Sequence, residues 1–208
     1  MKPTKLLPFL LILIVLAGLV VWQKSTKQKP QPIAVQAQLE TLVPEGLKKE
    51  DIAKIELYAG AKPDQKVVLQ KNGDAWQIAS AYNAPVNEET LKPYLDSLTR
   101  LKGEFRGTAD DDAKLAGYEL KDDQAFTVKA YKSGVEEPAL DLRIGKAPDF
   151  RSVFMRRAGD KRVFVEAANL RRDAGITDPP AGGPASAPSD SGENSVPKAS
   201  KWIKTEFL

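Results

Sequence analysis

The 208-residue sequence contains no cysteine and no histidine. The first absence excludes disulfides and thiolate nucleophiles, and the second removes the side chain that most often transfers protons at neutral pH. Zinc sites depend largely on the same two residue types. Only carboxylates, lysines, tyrosines and hydroxyls remain for chemistry. We therefore predict a protein that is not an enzyme, with no catalytic residues, no metal and no cofactor, and we rank a carboxylate-based enzyme last.

Three consecutive aspartates, Asp110-Asp111-Asp112, are candidate metal ligands. Calcium loops place oxygen ligands at alternating positions, with a glycine turn and a distal glutamate, and this run lacks that pattern. Capping of a short helix is the better interpretation.

The positive charge of the chain is concentrated at its N-terminus. The formal net charge is +3, but residues 1–30 hold five lysines and no acid, which leaves 26 basic and 28 acidic residues, a net charge of −2, elsewhere. The overall basic balance therefore gives no support to nucleic-acid binding and is typical of a membrane flank.

An uncharged stretch from Leu6 to Trp22 lies between lysines on both sides. At about 1.5 Å per residue it reaches roughly 25 Å, near the short end of what spans a bilayer core. A cleaved signal peptide is the alternative, but the apolar run continues past the poor cleavage match at Val15-Leu16-Ala17. We predict one transmembrane helix that is retained as a signal anchor.

The flanking lysines nearly balance, so orientation depends on the short N-terminal tail, which favours a cytoplasmic N-terminus. We predict a single-pass protein of the cell inner membrane with its domain on the periplasmic or extracytoplasmic side.

Composition divides the chain into five segments. Residues 1–29 are the predicted membrane anchor with its flanks, and residues 30–50 form a proline-containing stalk. Residues 51–176 carry the apolar patterns of a folded domain. Residues 177–200, rich in Pro, Ala, Gly and Ser, predict a disordered linker. Residues 201–208 return to large apolar side chains, which either dock on the domain or begin an element that this chain lacks.

Within the domain, Asn72-Gly73 between two apolar runs predicts a β-hairpin. Asn87 is the predicted N-cap of a helix that places Leu91, Leu95 and Leu98 on one face, and Pro93 would disturb its first turns.

A second short helix is predicted at residues 109–116. Further strands are predicted at Ile52 to Leu57, Phe126 to Tyr131, Leu140 to Ile144, Val153 to Arg157 and Arg162 to Val165. The fold class that we predict is α+β: a small antiparallel sheet packed against one main helix, after the N-terminal transmembrane helix and before the disordered C-terminal linker.

This order of elements resembles a known family. The residues that carry the resemblance are the N-terminal span, Ile52 to Leu57, Val67-Val68-Leu69 with Asn72-Gly73 and Trp76, the Asn87 helix, Gly117-Tyr118-Glu119-Leu120, Leu142-Arg143-Ile144-Gly145 and Val163-Phe164-Val165. Together they look like the bacterial domain-of-unknown-function family four-three-four-zero. Glu119 stands where that family usually has glycine. The resemblance implies a single-span envelope protein, often encoded beside gliding-motility-type ABC transporter genes, with an accessory role. It supplies no catalytic residue.

The segment from Lys146 to Arg172 is the densest basic region, with eight basic and three acidic residues, a net charge of +5. If its arginines share one face of a hairpin, they can bind a carboxylate or phosphate. The competing interpretation is a solvated sheet face, which is what charge runs usually are. The candidate anion-binding residues are Arg151, Arg156, Arg157 and Arg162.

Two functions follow from these patterns. The first is a membrane-anchored extracytoplasmic interaction module, a non-enzymatic accessory protein of an ABC-type transport or surface-export assembly, whose partners are the membrane, transporter subunits or other envelope proteins. The alternative is a binding module for an anionic envelope polymer or lipid head group through the Lys146 to Arg172 region.

Overall fold

A computed structural model describes residues 39–149, 151–176 and 196–204. They contain ten strands and three α-helices, together with single 3-10 turns at Lys49–Asp51 and Ala199–Lys201. The strands are β1 (Leu39–Thr41), β2 (Ile52–Ala59), β3 (Val67–Asn72), β4 (Ala75–Ile78), β5 (Ala84–Pro85), β6 (Lys102–Thr108), β7 (Phe126–Lys132), β8 (Leu140–Ile144), β9 (Val153–Arg157) and β10 (Arg162–Glu166). The helices are α1 (Glu88–Thr99), α2 (Asp112–Gly117) and α3 (Leu170–Asp173).

All ten strands form one antiparallel sheet in the order β1-β6-β10-β9-β8-β7-β2-β3-β4-β5. Neighbours in the chain are mostly neighbours in the sheet, because short turns join them. The predicted hairpin is confirmed: Asn72 pairs with Ala75, and Gly73 takes a φ of +62°, which glycine adopts without steric cost. The long-range pairing of β2 with β7 joins the two halves of the sheet.

One face of the sheet carries the main core. Ile55 and Leu57 of β2 are fully buried, with Val128 and Leu142 beside them on neighbouring strands. The apolar stripe of α1 covers this face through Leu91, Tyr94, Leu95 and Leu98. Asn87 caps α1 as predicted, accepting a hydrogen bond from the backbone N–H of Glu89, and the helix runs from Glu88 through Pro93.

The predicted fold class is wrong in its proportions. We expected a small sheet on one main helix within an α+β fold, but the described chain is mostly β, and its single sheet has ten strands. Three strands carried too little pattern to be predicted: β1 and β5 are two or three residues long, and β6 reads Lys-Gly-Glu-Phe-Arg-Gly-Thr. The sheet supplies their stability through pairing, which local sequence does not report.

The segment predicted as a stalk contributes to this domain where it is described. Leu39–Thr41 pairs with β6, and the side chains of Leu42, Val43 and Leu47 are buried in the main core. The predicted anchor, Leu6 to Trp22, lies outside the described residues, as do residues 177–195 of the predicted linker. Within the described residues no helix is long and apolar enough to cross a bilayer.

Residues 196–204, here called the C-terminal strap, dock on the domain. The Trp202 side chain is fully buried and its ring meets the Tyr94 ring edge-on at 5.1 Å. The carbonyl of Trp202 accepts the backbone N–H of Asn87 at 2.7 Å, and Ile203 bridges to Val86 next to β5. Of the two alternatives for the apolar end, docking is what the structure shows for Trp202 and Ile203.

Candidate functional site

The second face of the sheet carries a pair of arginines on adjacent strands. Arg143 of β8 lies directly opposite Arg156 of β9, and Thr127 of β7 lies opposite Arg143 on its other side. Directly opposed residues of neighbouring strands point to the same face, so these three side chains form a row. Their chain neighbours, Leu142 and Met155, point into the main core. We call Arg143 and Arg156 the arginine pair.

Asp122 covers the arginine pair from a loop. Its Oδ1 accepts a hydrogen bond from Arg143 Nε at 2.7 Å and another from an Arg156 terminal nitrogen at 3.3 Å. The arginine side chains are only 10% and 8% exposed, whereas the Asp122 side chain is 73% exposed. Two almost buried cations thus share one oxygen of a carboxylate that faces solvent.

The loop that carries Asp122 is held against the sheet by its backbone. Gly60 donates its N–H to the carbonyl of Ala125 at 2.8 Å. A Cβ at Gly60 would collide with the carbonyl oxygen of Asp122, so only glycine permits this approach. Arg156 Nε donates to the carbonyl of Leu120 at 3.1 Å, which fixes the start of the loop. The Asp122 backbone is therefore fixed, while its side chain extends outward.

Electrostatics distinguishes the two guanidinium groups. Burial has the largest single effect on both groups, and by itself it would lower the pKa of each. For Arg143, the contacts with Asp122 and Asp141 outweigh burial and raise the pKa. For Arg156, the positive charge of Arg143 adds to burial, and its pKa is lowered. Both groups remain cations at neutral pH, since an arginine guanidinium starts from a pKa above 12. Arg156 is the less well compensated of the two.

A row of alternating charges continues from the arginine pair across the same face. Asp141 contacts Arg143 and also lies 3.7 Å from Lys129 of β7. Lys129 is the register partner of Glu56 in β2. Glu56 in turn lies 3.1 Å from Lys54 and 3.6 Å from Lys66. We call these five residues, Lys54, Glu56, Lys66, Lys129 and Asp141, the charge stripe.

The four predicted anion-binding arginines do not converge on one surface. Arg156 belongs to the arginine pair. Arg157 points to the opposite face, where its guanidinium donates to the carbonyls of Leu42 and Thr41 at 2.8 and 2.7 Å. Arg162 pairs with Asp160 and Glu40, each at 2.9 Å. Arg151 lies exposed in the loop before β9. Arg157 and Arg162 thus hold β1 and the residue that follows it.

Sequence reasoning missed Arg143, Asp122 and Thr127 as members of the site. For Arg143 a signal existed, because Leu140-Asp141-Leu142-Arg143-Ile144 alternates apolar and charged residues and so places Asp141 and Arg143 on one face. Asp122 had no such signal, since a loop residue reaches the sheet only through the folded path of the chain.

The aspartate run serves as helix capping. Asp111 is the N-cap of α2, and its Oδ1 accepts the backbone N–H of Lys114 at 2.7 Å. Across residues 39–149, 151–176 and 196–204, no three acidic side chains are grouped closely enough to hold a metal ion. The arginine pair places two like charges almost out of contact with water, and guanidinium groups have the geometry to bind a carboxylate or phosphate.

Comparison with curated proteins and with solved structures yields no match. A family match covers residues 76–178, from Trp76 in β4 to just beyond α3, and it includes the arginine pair and the loop of Asp122. The matching family is the one described as Domain of unknown function (DUF4340), which is the family that the sequence resemblance indicated.

Proposed function

We propose that this chain is a membrane-anchored extracytoplasmic interaction module, a non-enzymatic accessory subunit of an ABC-type transport or surface-export assembly. The observation that carries the proposal is the charge stripe. Its five side chains lie on the sheet face opposite α1, and alternation of sign across β2, β7 and β8 is the pattern that a partner surface of complementary charges recognises.

Partial exposure makes the stripe suitable for a protein partner. The side chains of Lys54 and Lys129 are 32% and 25% exposed, and that of Lys66 is 45% exposed. Charges at this depth keep their mutual order and still reach a second surface. The stripe contains three ion pairs, Lys54–Glu56, Lys66–Glu56 and Lys129–Asp141. Ion pairs that remain in contact with solvent contribute roughly 0 to 1 kcal/mol each, so stability alone does not account for a row of them.

The transporter part of the proposal rests on the family resemblance, and the anchor part rests on Leu6 to Trp22. The absence of cysteine and histidine from the sequence supports the non-enzymatic part.

Site-specific photo-crosslinking in intact cells tests the proposal. A photoreactive residue replaces Lys129 in the full chain, and a matched chain carries it at Lys92 of α1, on the opposite face, where the native side chain is 71% exposed. We expect transporter or other envelope subunits to crosslink from position 129 and not from position 92. Equal yields at both positions, or no adduct from position 129, would contradict the proposal.

A pair of reporter fusions after Leu208 tests the topology separately. A reporter that is active only in the periplasm should give signal, and one that is active only in the cytoplasm should not. The reverse result would refute the extracytoplasmic placement without bearing on the charge stripe.

A further inference from the structure

We propose that the arginine pair is a binding site for a single oxyanion group, a phosphate or a carboxylate, and that Asp122 fills this site as an internal substitute. The inference goes beyond the interaction function, and its experiments test the arginine pair separately from the charge stripe. It gives the anionic-ligand alternative a defined location, shifted from the exposed arginines to Arg143 and Arg156.

The first step of the argument is the geometry of the resident carboxylate. Arg143 and Arg156 both direct a donor at Oδ1 of Asp122, at 2.7 and 3.3 Å. Guanidinium groups bind carboxylates and phosphates best when separate oxygens receive separate donors. An oxyanion that offers one oxygen to each arginine would therefore satisfy the pair better than the shared oxygen of Asp122 does.

The second step is the contrast in exposure. The two arginine side chains are about nine-tenths buried, and charges at that depth are stabilised by a counter-charge. Asp122 is 73% exposed, so its carboxylate is readily hydrated once it turns away. Gly60 fixes the Asp122 backbone, so rotation of one side chain is sufficient to open the site.

The third step is an unused polar group on the same face. The Thr127 hydroxyl is buried and has no hydrogen-bond partner within the described residues. Thr127 is the register partner of Arg143, so it adjoins the arginine pair. A buried hydroxyl without a partner costs free energy, so an acceptor bound beside Arg143 would be favoured further if Thr127 donates to it.

Charge favours the exchange as well. With Asp122 in place, Arg143, Arg156 and Lys129 face Asp122 and Asp141, a net charge of +1 for the cluster. When Asp122 turns away, the cluster presents a charge of +2 to an incoming anion, while Asp141 keeps its contacts with Arg143 and Lys129.

Inorganic phosphate is the first probe. The full chain, reconstituted in phosphatidylcholine bicelles at low ionic strength, is titrated with phosphate while the side-chain Nε signals of its arginines are followed by NMR. We expect the signals of Arg143 and Arg156 to move in a saturable way, while that of Arg162 does not. Unmoved signals from the arginine pair would overturn the inference.

Substituting phosphatidylglycerol for part of the bicelle lipid provides the second arm. A shift of the same two signals without added phosphate would identify a lipid phosphate as an accessible source. A shift with phosphate alone would identify a soluble anion. Either result supports the site, and the absence of both refutes it.

Asp122→Asn gives the sharpest test because it predicts a gain of binding. Removal of the internal competitor should tighten phosphate binding by about tenfold, measured by calorimetry. Asp123→Asn is the matched control: it removes the same charge one residue away, at a side chain that is 70% exposed and contacts Lys121 instead of the arginine pair. Equal phosphate affinity in the two variants, or weaker binding by Asp122→Asn than by the native chain, would show that Asp122 is not a substitute ligand.

Arg143→Gln should abolish the phosphate response. Because a buried arginine also supports the fold, thermal unfolding of this variant is measured alongside. The gain expected in Asp122→Asn does not depend on that outcome, so the inference stays testable if Arg143→Gln fails to fold.

Discussion

Glu119 lies in the left-handed backbone region, with a φ of +57°. A residue with a side chain pays about 1 to 2 kcal/mol there, and glycine pays no such steric cost. We expect Glu119→Gly to raise the free energy of unfolding by about 1 kcal/mol, after allowing for the greater freedom of glycine in the unfolded chain. Urea denaturation of the native chain and of Glu119→Gly measures this difference in the free energy of unfolding.

A glycine substitution in a different exposed loop separates backbone relief from the loss of a glutamate. Glu136 is exposed and its φ is not positive. Glu136→Gly should leave stability unchanged or lower it. If both variants are destabilised alike, the left-handed φ at Glu119 carries no strain.

Tyr131 is a residue whose ionisation affects stability at high pH. Burial, followed by the nearby charge of Glu56, raises the pKa of Tyr131 to about 12. The unfolded chain therefore loses this proton near pH 10 while the folded chain still holds it, so the free energy of unfolding falls as pH rises from about 10 to 12. Between pH 10 and pH 12 we expect the free energy of unfolding of Tyr131→Phe to fall less than that of the native chain, with a difference of up to about 2 kcal/mol.

Urea denaturation at several pH values measures this difference. Tyr82→Phe serves as the control, because its ring is fully exposed. A Tyr82→Phe profile that differs from the native profile as much as that of Tyr131→Phe would contradict the assignment to Tyr131.

At the scale of elements, β1 pairs with one strand, β6, and is also contacted by Arg157 and Arg162. The Arg157 guanidinium donates to two carbonyls, of Thr41 and Leu42. Hydrogen bonds that involve a charged group contribute about 1.5 to 3 kcal/mol, so we expect Arg157→Gln to lower the free energy of unfolding by about 2 kcal/mol. We also expect faster amide hydrogen exchange in β1 and β6.

Arg162→Gln is the comparison for this prediction. Its contacts with Asp160 and Glu40 are side-chain pairs, and the Arg162 side chain is 45% exposed, so its loss should cost less than about 1 kcal/mol. A larger loss of stability in Arg162→Gln than in Arg157→Gln would show that β1 is held by the exposed ion pairs and not by the hydrogen bonds from Arg157 to the carbonyls of Thr41 and Leu42.

The elements that sequence predicted correctly are those with a complete local signal. Asn72-Gly73 between two apolar runs specifies a hairpin by turn chemistry alone, and Asn87 followed by two glutamates specifies a helix start. β6 has no such signal, since it combines two glycines with three charges. It exists because β10 and β1 pair with it, and a bulge between Val163 and Phe164 further obscures its alternation.

The same limit applies to the site. Arg156 was a candidate because it lies in a dense basic run, but that run contains residues of both sheet faces. Strand alternation separates Arg156 from Arg157 once β9 is recognised as a strand. The contact between Asp122 and the arginine pair joins a loop to two strands, and no local pattern reports a contact of that kind.

At the scale of the whole molecule, the C-terminal strap completes the core outside the segment that the family covers. Trp202 is fully buried against Tyr94 and lies beyond residue 178. Removal of a large buried aromatic typically costs about 3 to 5 kcal/mol, and we expect Trp202→Ala to lower the free energy of unfolding by that amount.

Urea denaturation measures this loss, with Trp76→Ala as the reference. The Trp76 ring is only partly buried, so its removal should cost less than about half as much. Equal losses would show that the strap packs no more tightly than the hairpin surface.

The position of β2 and β3 in the sheet affects how a cell makes this protein. Both strands precede Trp76, yet they are what links β4 and β5 to β7. A fragment cut at residues 76 and 178 would split its sheet into two parts without a common strand. During synthesis, the β2–β3 hairpin leaves the ribosome long before β7. Until β7 is made, the edge of β2 that pairs with β7 has no strand partner. An exposed edge of this kind can pair with another chain, so the yield of folded protein depends on how quickly translation delivers β7.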